Sequence, residues 1–290
     1  MTLPARTTRA DRPWEYSAFP VSVARKVQVT PGFIRITLAG ESLRDFAPWG
    51  LDQRIKLVLP MSDGSRPDFG LLDDPTPHPK QWYTRWKALP ENRRNVLRTY
   101  TPAAIRPEAG EIDVDLFVHE PAGPASAWAL GCRPGDELVV TGPDVRVGYT
   151  GYGIHYAPPT VPRRVLLVGD ESALPAINNI LTGLAPDTSA EVLLELAHPA
   201  NGALLTEGGR ITARVVDAGS SPGSRLERAV RDWGTLNSGD ATIRTSLYAW
   251  IAGEATATGD IRRYLVGTLL VPKERVAFMG YWKLGGPLVS

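Results

Sequence analysis

The chain has 290 residues, 43% of them hydrophobic, with 32 Lys+Arg against 31 Asp+Glu and a formal net charge of +1. That length accommodates two domains of ordinary size, each able to bury its own core, and the near-neutral balance gives no support for a nucleic-acid binder driven by bulk charge. The single cysteine, Cys132, excludes a disulfide framework and any thiolate-held iron–sulfur cluster or zinc site within one chain.

Met1–Trp14 is basic and contains proline but has no apolar segment, so it reads as a frayed tail rather than a secretion signal. No run of about 18 apolar residues is present, so no membrane span is expected, and the cytoplasm is the expected location. Val21–Val23 through Val27–Val29 alternates, as do Ile34, Ile36 and Leu38 beyond the turn at Pro31-Gly32, then Ile55, Leu57 and Leu59. Such alternation marks short half-buried strands. Between Pro60 and Val96 lies a polar excursion holding Trp82, Tyr83 and Trp86. Its length predicts a functional or partly helical connection rather than a bare loop.

Arg98-Thr99-Tyr100-Thr101 comes next. In a strand, Arg98 and Tyr100 share a face and Thr101 takes the other. A guanidinium can fork onto a pyrophosphate. A phenol ring can lie against an isoalloxazine, and a threonine hydroxyl can bond its N5 or O4 edge. An ordinary amphipathic strand has the same pattern, so the flavin reading depends on motifs further along the chain. Ile112, Val114, Leu116 and Val118 alternate and end at His119. Gly123-Pro124-Ala125-Ser126 then opens a short predicted helix, Ala125 to Leu130, whose free N–H groups can receive a phosphate. A plain capped helix fits the same residues. The four histidines are scattered with no metal-ligand spacing, so none is expected to hold a metal, and His119 is placed in the cofactor pocket without an acid–base role.

From Val165 the pattern changes. Val165–Val168 is apolar throughout and ends at Gly169, and a helix is expected over Ala173–Leu184. Strands at Val192–Leu194, Ile211–Val216 and Leu247–Ile251 alternate with helices near Ser224–Trp233 and Gly259–Leu270. Wholly apolar strands alternating with helices predict a parallel sheet covered on both faces. The boundary is expected in Ala157–Pro162, giving domains at 15–157 and 163–290. The fold class is therefore β + α/β: an N-terminal antiparallel β-barrel followed by a doubly wound parallel α/β domain of nucleotide-binding type. Gly169-Asp170-Glu171-Ser172-Ala173 occupies the strand-to-helix turn where such folds bind ligands, but it is neither a dinucleotide fingerprint nor a phosphate loop. Its carboxylates suit helix capping. They also argue against a pyrophosphate seated on them and favour a ribose or adenine contact. Trp250–Ala255 ends a later strand. In the Gly-rich segment Gly280–Gly285, Trp282 can cover a flavin face or anchor the terminus.

Taken in order, these segments resemble the siderophore-interacting protein family, the flavin-dependent ferric-siderophore reductases. The matching stretches are Arg98–Thr101, His119 with Gly123–Ser126 and Trp128-Ala129, Pro134–Asp136, Gly169–Ala176, Trp250–Ala255 and Gly280–Lys283. Trp82-Tyr83 and Asn92–Asn95 also look like actinobacterial members. The resemblance implies FAD in the barrel domain. Arg98, Tyr100 and Thr101 would hold the flavin, His119, Ala125 and Ser126 its ribityl-phosphate side, and Asp170, Ser172, Ala173 and Trp282 would complete the cofactor site. Ala103 stands where the family often has an arginine, with Arg106 a candidate substitute, and Glu120-Pro121 departs from a commoner His-Gly.

A siderophore holds Fe(III) through hard oxygen donors, and reduction to Fe(II) weakens that preference. A flavin accepts an electron pair and releases electrons singly, so no catalytic acid or base is demanded of the protein. The electron donor would be NADH, NADPH or reduced ferredoxin. Arg262, Arg263, Arg275 and Lys283 are candidate contacts for an anionic chelate, or a solvated basic face. Two other readings stay open: a general NAD(P)H-dependent flavin or electron-transfer reductase, and a non-enzymatic siderophore-binding module.

Overall fold

A computed structural model describes residues 15–61, 63–65 and 68–287. The expectation for Met1–Trp14 lies outside them. Chain contacts divide the molecule into two compact units, one running to Val29 with Phe33–Ile154, the other comprising Thr30–Gly32 and His155 onward.

In the first unit the strands are β1 (Tyr16–Thr30), β2 (Phe33–Ala39), β3 (Ile55–Val58), β4 (Leu97–Tyr100), β5 (Pro102–Arg106), β6 (Glu111–Phe117) and β7 (Glu137–Pro143), with helices α1 (Pro79–Ala88) and α2 (Pro124–Gly131). They form one antiparallel sheet ordered β4-β3-β7-β1-β2-β6-β5. The two edge strands, β4 and β5, are consecutive in the chain and separated only by Thr101. A flat sheet would hold them six strand spacings apart, so this sheet must curl until its edges meet, as a half-barrel with a seam at Thr101. The alternating residues Ile36, Leu38, Leu57, Ile112, Val114, Leu116, Leu138 and Val140 point inward and are buried together. The long excursion is partly helical. His78 caps α1 by accepting the Lys80 N–H through Nδ1 at 3.1 Å. Trp82 docks the helix among Val58, Phe69, Leu71 and Val139.

The second unit contains β8 (Arg164–Asp170), α3 (Leu174–Thr182), β9 (Ser189–Leu196), β10 (Ile211–Asp217), α4 (Ser224–Leu236), α5 (Thr242–Thr245), β11 (Leu247–Glu254), α6 (Ala255–Gly267), β12 (Val276–Lys283) and β13 (Gly286–Pro287). The sheet order is β10-β9-β8-β11-β12-β13, parallel except for β13. Leu166 and Val168 of β8 pack with residues of α4 and α6. On the opposite face Gly169 meets Ala173 and Ile177 of α3. Both faces are thus covered, which is why β8, β9 and β11 are apolar throughout. The order reverses between β8 and β11, which makes that point the topological switch of the sheet. Two local expectations are corrected. Helix α6 begins at Ala255 rather than Gly259, because Glu254 caps it. Gly280–Lys283 belongs to strand β12 rather than to a Gly-rich terminus, because the β11 backbone supplies its partners.

Candidate functional site

In the first unit Arg98, Tyr100 and Thr101 stand at the seam, and His119, Ala125 and Ser126 at the start of α2. β4 pairs with β3 so that Arg98 lies opposite Leu57 and Tyr100 opposite Ile55. Tyr100 rests partly buried on the core, and burial pushes its phenol up to about 12, against the pull of the Arg98 charge. Arg98 is half-buried. Its Nη1 donates to the Leu97 carbonyl at 2.9 Å, and no carboxylate among the described residues pairs with it. Burial therefore pulls its pKa below the ordinary value. A desolvated guanidinium with an unmet fork is a prepared anion site. Thr101 is buried at the seam itself.

Arg106 is the contrasting case. It donates to Asp113 at 2.8 Å through both terminal nitrogens and to Glu111 at 3.1 Å. Those carboxylates consume its fork, which corrects the expectation that Arg106 replaces the arginine missing at Ala103.

Helix α2 begins at Gly123 with Pro124 in its first turn and no side-chain cap. The N–H groups of Ala125 and Ser126 precede any intrahelical acceptor. The Ser126 hydroxyl turns inward and donates to the Phe117 carbonyl at 3.4 Å. The His119 ring lies against Gly123, where an added Cβ would sit 3.2 Å from Cε1. A side chain at position 123 would push the imidazole back by a few tenths of an ångström.

Lys56 belongs to none of the sequence motifs, yet it stands beside them. It is opposite Thr99 in the β3–β4 register and so points to the other face from Arg98. Its ammonium lies 3.2 Å from the Thr99 hydroxyl. Among the described residues it has no carboxylate partner, and its pKa is lowered, first by burial and then by Arg54. The sequence does hold a signal for it, since a lysine between Ile55 and Leu57 sits in mid-strand.

In the second unit Asp170, Ser172, Ala173 and Trp282 come together at the carboxyl ends of the strands. Oδ1 of Asp170 accepts the Ser172 N–H at 2.9 Å, and Oδ2 accepts the Trp282 indole N–H at 2.8 Å. Gly253, with φ +147°, passes so close that an added Cβ would lie 2.6 Å from Asp170 Oδ2. Burial raises the Asp170 pKa, opposed by its Ser172, Trp282 and Glu254 donors. Glu171 turns away to accept the Ala197 N–H, and burial pushes it up to about 7.

The four expected chelate cations are spread out. Lys283 is exposed at the end of β12. Arg275 precedes the same strand, donates to the Thr245 carbonyl and borders a cavity of about 170 Å³ with Tyr248 and Pro159. The length of β12 separates the two, roughly 26 Å of extended chain. Arg262 stacks on Phe278 at 4.7 Å, and Arg263 pairs with Asp260.

A curled antiparallel unit followed by a doubly wound α/β unit defines the architectural class. Residues 22–147 match the siderophore-interacting FAD-binding domain, and residues 162–285 match the siderophore-interacting protein family. The chain belongs to the siderophore-interacting protein family. It is 31% identical over 218 residues to the mycobactin import ATP-binding/permease protein IrtA of Mycolicibacterium smegmatis, covering 74% of this chain and 23% of that protein. The chain spans about a quarter of the length of the mycobacterial import proteins it matches. An NADPH-dependent ferric-chelate reductase of Escherichia coli is 33% identical over 165 residues, 57% of this chain and 56% of that protein. A siderophore utilization protein from T. fusca is 25% identical, with a TM-score of 0.69 over 94% of this chain and 95% of that one. No helix among the described residues is long and apolar enough to cross a membrane.

Proposed function

We propose that this chain is a flavin-dependent reductase that converts siderophore-bound Fe(III) to Fe(II), so that the iron leaves its chelator. The observation that carries the reading is Arg98: a half-buried guanidinium with no acid partner among the described residues, beside Tyr100 at the barrel seam. Together with the unfilled first turn of α2, it fits FAD, whose pyrophosphate needs a fork and whose ring needs an aromatic wall.

When bound, FAD supplies the relay between a two-electron donor and one-electron iron. The residues of this chain do the rest. Arg98 clamps the pyrophosphate. Tyr100 provides an apolar wall against the ring, and Thr101 a hydroxyl at its polar edge. The Ala125 and Ser126 N–H groups receive the phosphate side, with His119 over the same helix end. In the second unit, Asp170 holds the Trp282 indole while Ser172 and Ala173 complete the turn. Lys283, exposed at the end of β12, is the candidate cation for an anionic chelate. Arg262, Arg263 and Arg275 stay secondary candidates, each engaged within its own unit. The donor belongs to the class of reduced nicotinamides or ferredoxins.

The test is anaerobic. Purified protein is scored for flavin absorbance and reduced, then mixed with ferric hydroxamate or catecholate in the presence of a ferrous trap. Reoxidation well above that of free FAD is expected. A rate equal to free FAD refutes the reading.

A further inference from the structure

The carboxyl ends of the parallel strands are where a doubly wound sheet ordinarily seats a dinucleotide, its pyrophosphate on the helix N-terminus after the first strand. Here that rim is already filled by the protein's own carboxyl groups. Asp170, ending β8, accepts the Ser172 N–H at 2.9 Å and the Trp282 indole at 2.8 Å. The Leu174 N–H is spent on the Glu171 carbonyl, and Pro175 has none to give. Glu195, near the end of β9, accepts the Gly223 N–H at 2.6 Å and the Arg225 N–H at 3.2 Å across the start of α4. Glu254, ending β11, accepts the Thr256 and Ala257 N–H groups at 2.7 and 2.9 Å and so caps α6. All three carboxylates are buried, between 4% and 8% exposed. Gly253 is pressed against Asp170 so tightly that no side chain fits between them.

We infer that Asp170, Glu195 and Glu254 are specificity residues that occupy the anion positions of this rim and so exclude a dinucleotide pyrophosphate from the switch point. A phosphate entering there would find the N–H groups of Ser172, Gly223, Arg225, Thr256 and Ala257 already bonded to side-chain oxygens. The nicotinamide of a donor would gain nothing from the rest of its nucleotide. The exclusion works through donors already spent on the protein's own oxygens, a form of discrimination against the wrong ligand.

This inference rests on the flavin reading, and the experiment separates the two. Calorimetry with ADP on the unaltered protein reads the rim without turnover, with expected binding weaker than about 1 mM. Anaerobic flavin reduction is then compared for NADPH and reduced nicotinamide mononucleotide, which lacks the pyrophosphate and adenosine. Second-order rates within about threefold of each other, without saturation by NADPH, are expected, because remote binding energy is not being used. Saturation by NADPH with an advantage of about 100-fold or more, or ADP binding in the micromolar range, overturns the exclusion while leaving the flavin reading intact. A protein without flavin fails the flavin reading first, and the ADP measurement still decides the exclusion. In Asp170→Ala the Ser172 N–H is released, and the NADPH advantage is expected to rise severalfold. An unchanged ratio removes Asp170 from the assignment.

Discussion

Two arginines eight positions apart show how little residue type alone decides. Arg98 and Arg106 both lie on short edge strands of one curled sheet, yet Arg106 forks onto Asp113 and Glu111 while Arg98, among the described residues, donates to its neighbour's carbonyl alone. The free one is the ligand candidate. Arg98→Ala is therefore expected to weaken FAD binding by about 2–3 kcal/mol, roughly 30- to 160-fold. Flavin absorbance per protein after gel filtration reads it. Thermal stability of the flavin-free protein should hold or rise, because an uncompensated buried charge is removed. A large loss of flavin-free stability would instead mark Arg98 as structural. Glu171 gives a second test. Its pKa is 4.5 ordinarily and about 7 in the folded chain. The folded state thus binds more protons than the unfolded state between those values, so stability falls as pH rises through that window. Glu171→Gln keeps an acceptor for the Ala197 N–H without the charge. Its stability advantage over the parent should grow from pH 5 to pH 7.5, by an amount on the order of 3 kcal/mol. Parallel melting curves across that range would contradict a raised carboxyl.

At the scale of elements, α1 is the helical part expected within the long polar excursion, and its packing rests on few residues. Its hydrophilic sequence hides one anchor, Trp82, only 4% exposed among Val58, Phe69, Leu71 and Val139. Trp82→Ala should cost about 3 kcal/mol or more by denaturant titration, the usual penalty for emptying an aromatic site. FAD occupancy should survive, since the seam residues are on other strands, and joint loss of both would tie α1 to the cofactor. Strand β12 is the opposite case. Its Val276, Phe278, Tyr281 and Trp282 are strand formers that the glycines around them mask, and it pairs in parallel with β11 and presents Trp282 to Asp170. Sequence pattern puts the start of α6 four residues late for a related reason. Glu254 reads as a strand residue in sequence, but its side chain turns to cap the helix behind it.

At the scale of the whole molecule, the two architectures are legible because each writes its period into the chain. Alternation marks a sheet with one buried face, and continuous apolar runs mark strands covered twice. The sequence by itself therefore determined the order of a β unit and an α/β unit, the motif Arg98–Thr101 and the short helix opened by Gly123. Only the tertiary structure decided that edge strands β4 and β5 meet across Thr101, that Arg106 spends its fork on carboxylates while Lys56 has no acid partner among the described residues, that Lys283 and Arg275 stand at opposite ends of one strand, and that three carboxyl groups fill the rim of the second sheet. Those facts depend on pairings such as Asp170 with Trp282, 112 residues apart, and Lys56 with Thr99, 43 apart. Local periodicity carries no information about partners at that separation, because burial and charge compensation are properties of the packed chain.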